Sequence, residues 1–328
     1  MNYELFFVSL HGVMQKKRIE YIDLAKGICM FLVVMGHIQE VFASAELKDV
    51  SYVLSYFRMP LYFMLSGLFF KKYSSFMYFF TKKVNHLLVP YLCFLLFGFF
   101  TFRNYPIWFL FSLFSTNMVF YLCKLLSERL GHELILPVCC VLLSVVGFYL
   151  PNGRGCTDLL VEHMYYIETS LTCLGFYYVG YYLKNNTEFL ISTHVREGLV
   201  VSLVFLCALI VYGVGWYYDY ADTGFRLNFF EFPFLPLYLA GLAGSVGIIL
   251  LAKLVGYLPY FSFIGRYSII VLLTHFPITT LLVRFLPDKM LLVTILVLLI
   301  EIPVILVGKR CFPYLFAQKE LLPLPSDS

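Results

Sequence analysis

Residues 22–40, IDLAKGICMFLVVMGHIQE, decide the fold. From Ile28 to Met35 the chain is apolar on successive positions without alternation. That suits a helix in hydrocarbon, whereas a barrel strand alternates in polarity over about ten residues. The same stretch carries Asp23, Lys26, His37 and Glu40. Lys26 and His37 are 11 residues apart, which returns to within about 20° of one helix face and about 16 Å further along the axis. With Asp23 one turn before Lys26 and Glu40 one turn after His37, the spacing predicts a polar stripe on an otherwise apolar helix.

The rest of the chain has the same character. Of 328 residues, 61% are hydrophobic and 13% charged, with a mean hydropathy of +0.82. A soluble domain is about a quarter charged, and a chain of this length could not hide so much Phe, Leu, Ile and Val in its own core. The expected fold class is all-α, a polytopic transmembrane bundle. Ten spans are predicted, at residues 24–45, 52–70, 87–102, 105–125, 134–150, 168–183, 199–217, 232–251, 264–285 and 290–307. The connections are too short for a separate soluble domain. The expected organisation is a lead-in at 1–23, a ten-helix membrane domain at 24–307 and a cytoplasmic tail at 308–328.

Charge placement tests that topology. Sixteen Lys and Arg residues fall on one side, among them Lys16, Lys17, Lys71, Lys82, Lys83, Arg266 and Lys309. Six fall on the other, and Lys26 and Arg58 lie within spans. Basic loops stay cytoplasmic, so both termini are expected there. A net charge of +4 gives no sign of nucleic-acid binding. Nine cysteines, five of them in apolar runs and none in a CxxC, form neither a disulfide framework nor a metal site.

An ionisable side chain at membrane depth costs several kcal/mol unless it meets a partner or a cavity, so each is a functional candidate. His37, deep and followed by Glu40, is the foremost. Asp23 and Lys26 read equally as a helix-end ion pair. Arg58, in FRMPLYFMLSG, lies about two turns in from the outer surface, close to the depth of His37, where it either meets an anion or snorkels to headgroups. Lys82, Lys83 and His86, in TKKVNHLLVPY, line the inner mouth of the bundle; they could hold phosphates or simply satisfy the inside-positive bias. Trp108 is an outer-interface belt residue or a sugar-stacking platform. Glu168 opens the sixth span. His275 lies nine residues beyond Arg266, about 13 Å into the membrane.

Together IDLAKGICMFLVVMGH, FRMPLYFMLSGLFF, TKKVNHLLVPY, PIWFLFSLF and IGRYSIIVLLTHFP resemble membrane acyltransferase family 3, with the flavour of its fucose 4-O-acetylase-like and polysaccharide O-acetyltransferase subgroup. The likeness runs in order from Arg18 to Pro277. It implies an O-acyltransferase that moves an acyl group, usually acetyl from acetyl-CoA, to a carbohydrate hydroxyl at the cell envelope. It also implies residence in the plasma (inner) membrane beside membrane lipid and the proteins of polysaccharide biosynthesis, with no metal. The family's pattern of a basic residue, ten others and histidine matches Lys26 and His37, with Lys in place of the commoner Arg. Its cytoplasmic arginine motif, linked to the donor, falls on Lys82, Lys83 and His86, where the double arginine is absent. Gly265, Ser268 and His275 match a late string.

The expected chemistry makes His37 the base, or an acylated nucleophile, with Glu40 orienting it. Arg58 or His275 would polarise the carbonyl or position the acceptor. Lys26, Lys82, Lys83 and His86 would draw the donor, and Trp108 and Glu168 would hold the sugar. The alternative is an exporter of lipid-linked sugar or polysaccharide that uses the buried charges as a proton path. The proline and glycine content of the eighth span keeps it open.

Overall fold

All ten expected apolar stretches fall on helix in the computed structural model, which describes residues 19–42, 48–71, 73, 75–101, 107–150, 166–185, 197–286 and 289–325. The helices are α1 (Glu20–Phe42), α2 (Lys48–Leu68), α3 (Phe76–Lys83), α4 (Val89–Thr101), α5 (Trp108–Leu130), α6 (Ile135–Tyr149) and α7 (Ile167–Thr172). They continue with α8 (Leu174–Asn185), α9 (Glu197–Tyr217), α10 (Phe234–Val255), α11 (Pro259–Arg266), α12 (Ser268–Phe285) and α13 (Met290–Cys311). Six of them, α1, α5, α9, α10, α12 and α13, are long and apolar enough to cross a membrane. The bundle is all-α apart from a two-residue antiparallel ladder, Thr223–Gly224 with Phe229–Phe230.

Three predicted spans are interrupted, each for a local reason. The third is entered through a π turn, Val84–Leu88, that joins α3 to α4. Pro90 has no N–H to give to the carbonyl of His86, and its ring crowds that turn; the extra residue relieves the clash. The sixth breaks at Cys173, because side chains claim the backbone groups there. The hydroxyl of Tyr238 donates to the carbonyl of Thr172, and the N–H of Gly175 donates to Ser144 Oγ at 2.8 Å. The ninth breaks at Tyr267 (φ −111°, ψ 27°), so α12 begins afresh at Ser268.

The core is centred on α1 and α2. Around them pack α8, α10, α11, α12 and α13. Helices α2 and α8 meet backbone to backbone, because a Cβ on Gly180 would overlap the carbonyl oxygen of Met64. Small residues permit such close approach between apolar helices, where van der Waals contact is the main attraction. Helix α9 rests on α10 and the edge of α2, and shows Leu199, Val201, Phe205, Leu206 and Leu209 outward. A lipid-facing surface accounts for that exposure.

The ladder and the turn inside it clamp one end of the bundle. Thr169 Oγ1 donates to the carbonyl of Phe225 at 2.7 Å, and Thr172 Oγ1 to Asn228 Oδ1 at 2.8 Å. Asn228 Nδ2 donates to the carbonyl of Gly147 at 2.7 Å, and Tyr56 to that of Ala221 at 3.0 Å. Buried polar groups are thus paired across α2, α6 and α7, as they must be away from water.

Candidate active site

The polar residues of α1 divide between two levels. At the first, Asp23 is buried and faces Arg266 (Oδ2 to Nε, 3.8 Å), which also reaches Glu20 at 3.5 Å. Lys26 Nζ lies 4.0 Å from the centroid of the Phe69 ring, a cation–π contact at the end of α2.

At the second level α1, α2 and α12 converge. The His37 and His275 rings have centroids 5.4 Å apart and planes inclined at 32°, and Phe276 stands edge-on to His37 at 6.1 Å. His275 is fully buried. Its Nδ1 lies 2.7 Å from the carbonyl of Val271. A carbonyl only accepts, so Nδ1 carries the hydrogen in the neutral ring. His37 is partly buried and comes from the opposite helix.

Arg58 joins them from α2. Cys29 Sγ donates to the Arg58 carbonyl at 3.2 Å, which fixes the backbone level with Cys29. The guanidinium, however, has climbed to Gly36, where a Cβ would overlap Nη1. Cys29 to Gly36 is seven residues, about 10 Å of helix rise. The Arg58 side chain therefore runs along the bundle to the level of Gly36, next in sequence to His37, and Gly36 is the vacancy that admits it.

An aromatic wall continues from this level. Tyr62, one turn beyond Arg58, packs on Phe109 at 5.2 Å; Phe109 adjoins Trp108, and Trp108 packs on Tyr166 at 5.8 Å. Trp108 is only 5% exposed, so it is an internal residue and the belt reading fails. Glu168, two residues past Tyr166, keeps Oε2 buried with no hydrogen-bond partner among the described residues. Buried oxygens of this kind call for a bound group or water. Glu40 lies in the last turn of α1, and its side chain is outside the described part of the structure.

The basic group at the other end of α2 is placed separately from the histidines. Lys82 Nζ lies 5.4 Å and 5.6 Å from the Tyr73 and Tyr78 ring centroids, and Lys83 Nζ 5.5 Å from that of Phe79. His86 Nδ1 donates to the carbonyl of Lys82 at 2.9 Å. Burial lowers the Lys83 ammonium to about 8, and the neighbouring Lys82 charge pushes the same way. Burial also lowers His86. Sequence spacing brought these three together, whereas it put the whole of Arg58 near the depth of His37, a level that only its guanidinium reaches.

One residue of the site region went unread in the sequence. Glu301 is fully buried on α13, the most apolar of the helices, in LLIEIPVIL. Thr274 Oγ1, adjacent in sequence to His275, lies 2.9 Å and 2.8 Å from its two carboxyl oxygens and 2.8 Å from the carbonyl of Ile270. A hydroxyl has one hydrogen, so both contacts are hydrogen bonds only when the carboxyl carries a proton and donates to Thr274. The signal was available: a lone carboxylate in a membrane helix is a candidate by default. Replacing Thr274 by Val is expected to orphan that carboxyl and cost about 1–3 kcal/mol, whereas Glu301→Gln keeps a donor for Thr274 and stays near wild type. Thermal unfolding in detergent distinguishes the two. Among the described residues, no group of three His, Cys, Asp or Glu side chains could hold a metal ion.

A helical membrane bundle with a buried histidine pair beside an arginine has the parts of a group-transfer enzyme. The chain matches the family model described as an acyltransferase domain over residues 19–102 and 95–308, and it belongs to acyltransferase family 3. It is thus a multi-pass membrane acyltransferase. The comparisons with curated proteins and with solved structures gave no match.

Proposed function

We propose that this acyltransferase moves an acetyl group from acetyl-CoA to a hydroxyl of a cell-envelope carbohydrate. The observation that carries the reading is the contact between His37 and His275 beside the Arg58 guanidinium, inside a bundle of this family. The orphaned Oε2 of Glu168 and the Trp108–Tyr166 wall beside it favour a polar acceptor with faces to stack on. The inside-positive charge distribution favours ten spans with both termini cytoplasmic, in the plasma membrane.

In this reading a histidine of the pair takes the proton from the acceptor hydroxyl. The alcohol oxygen attacks the thioester carbonyl, and the guanidinium holds the oxygen as it gains charge. The C–S bond breaks, and the thiolate takes the proton back from the imidazolium and leaves as free thiol. Transfer through an acyl-His37 uses the same groups in two steps. Purified protein in detergent, given acetyl-CoA and candidate sugars, should release thiol only when acceptor is present. Thiol release indifferent to acceptor would refute the transfer.

Lys82, Lys83 and His86 serve the donor's phosphates. With Lys83 lowered to about 8, its charge is present below that pH and lost above it. CoA affinity should therefore fall as pH rises through 8, by about 10- to 100-fold for one lost charged contact of about 1.5–3 kcal/mol. Lys83→Arg, charged throughout, should flatten that profile in a binding titration.

A further inference from the structure

Beyond α13 the chain turns back under the basic cluster. The N–H groups of Gln318 and Lys319 both donate to the carbonyl of Pro313, at 2.7 Å and 3.1 Å, and Ala317 takes a left-handed φ of 54°. Phe316 is the anchor: it is buried against Phe94 at 5.7 Å and fills the space beside Gly308. The strand that follows is held differently. Asn85, 1% exposed in the π turn, donates from Nδ2 to the carbonyl of Leu322 at 2.9 Å and accepts the Leu322 N–H on Oδ1 at 2.8 Å. The side chains of Leu321 and Leu322 point outward, 54% and 42% exposed. The segment is hooked by one amide rather than sealed by apolar burial.

The hook sits in the wrong place for a purely structural brace. Asn85 lies between Lys82–Lys83 and His86 in the chain, and Glu320, two residues before the hooked Leu322, acts electrostatically on His86. The hook thus brings an acidic residue of the chain itself into the neighbourhood of the basic cluster. The family match stops at residue 308, before this segment begins.

We propose that residues 312–322 form a strap whose Glu320 competes with an anionic acyl donor for Lys82, Lys83 and His86, and that Leu322 must unhook from Asn85 before the donor can seat. The proposal rests on the reading of that cluster as the donor site. Unhooking exposes one buried amide, a cost that charged contacts to phosphate can offset.

The test uses the full chain in detergent with coenzyme A alone as probe. Asn85→Ala, which removes both hydrogen bonds to Leu322, should tighten coenzyme A binding several-fold. Glu320→Gln, which leaves the hook in place, should tighten it as well. Unchanged affinity in both variants, in folded protein, overturns the strap. Lys82→Ala with Lys83→Ala separates the two ideas. If that pair loses coenzyme A binding while Asn85→Ala and Glu320→Gln bind as wild type does, the strap alone is wrong; if it binds as wild type does, the donor site is wrong.

Discussion

Alanine at His37 should reduce acyl transfer by on the order of 10³-fold or more while the helical signal and unfolding temperature of the bundle hold. A positioned base contributes about 10²–10⁴-fold. His37 is the more accessible ring of the pair, being partly buried while His275 is sealed. His275→Ala removes the ring that His37 leans on and the lone pair on Nε2, and should also cost well over tenfold. Because the rings touch, their losses should not add. The double variant is expected to be no worse than His37→Ala alone. Additive losses would show two independent functions, and turnover within tenfold of wild type in His37→Ala would remove the histidine from the chemistry. Thiol release measured on the three variants decides between these outcomes.

The second large effect contrasts two glycines. Gly180→Ala places a methyl group on the backbone carbonyl of Met64, which cannot yield without driving α2 and α8 apart. Overpacking of this kind costs about 1–3 kcal/mol and often more, so folded protein should be scarce or unfold early. At Gly36 the obstacle is the tip of a flexible side chain, Arg58 Nη1. Gly36→Ala should fold and stay close to wild type in thermal stability, yet displace the guanidinium from the histidine pair and slow turnover by about 10- to 100-fold. Size-exclusion yield and unfolding temperature, set beside specific activity, separate the two. Full activity in Gly36→Ala would mean that the position of Arg58 is immaterial.

Much of this was legible because membrane helices announce themselves. Ten apolar stretches fall on helix, and helical arithmetic from Lys26 to His37 put one histidine well beyond the level of the Lys26–Phe69 contact. What could not be read was azimuth. His275 was placed about 13 Å beyond Arg266, but no periodicity could show that its ring meets that of His37. The contact depends on the break at Tyr267, which resets where α12 starts and which way it faces. Trp108 was left open for a related reason: its place at the head of an apolar run allowed both a belt and a stacking role, and its enclosure by Tyr166 and Phe109 shows only in the fold. Glu301 was lost in averaging, since one carboxylate hardly lowers the hydropathy of its segment. The Asn85–Leu322 hook joins residues 237 apart, beyond any local pattern.

The π turn at Val84–Leu88 also acts as a phase shifter. One surplus residue in a helix advances every later side chain by about 100°. Before it, Phe79 points inward; after it, Tyr91 and Phe94 do, although Phe79 and Tyr91 are 12 residues apart and the wide turn stands between them. Helices α3 and α4 therefore keep separate angular registers. The amino-acid pattern on one side of the junction predicts the buried face on the other only once that surplus residue is discounted.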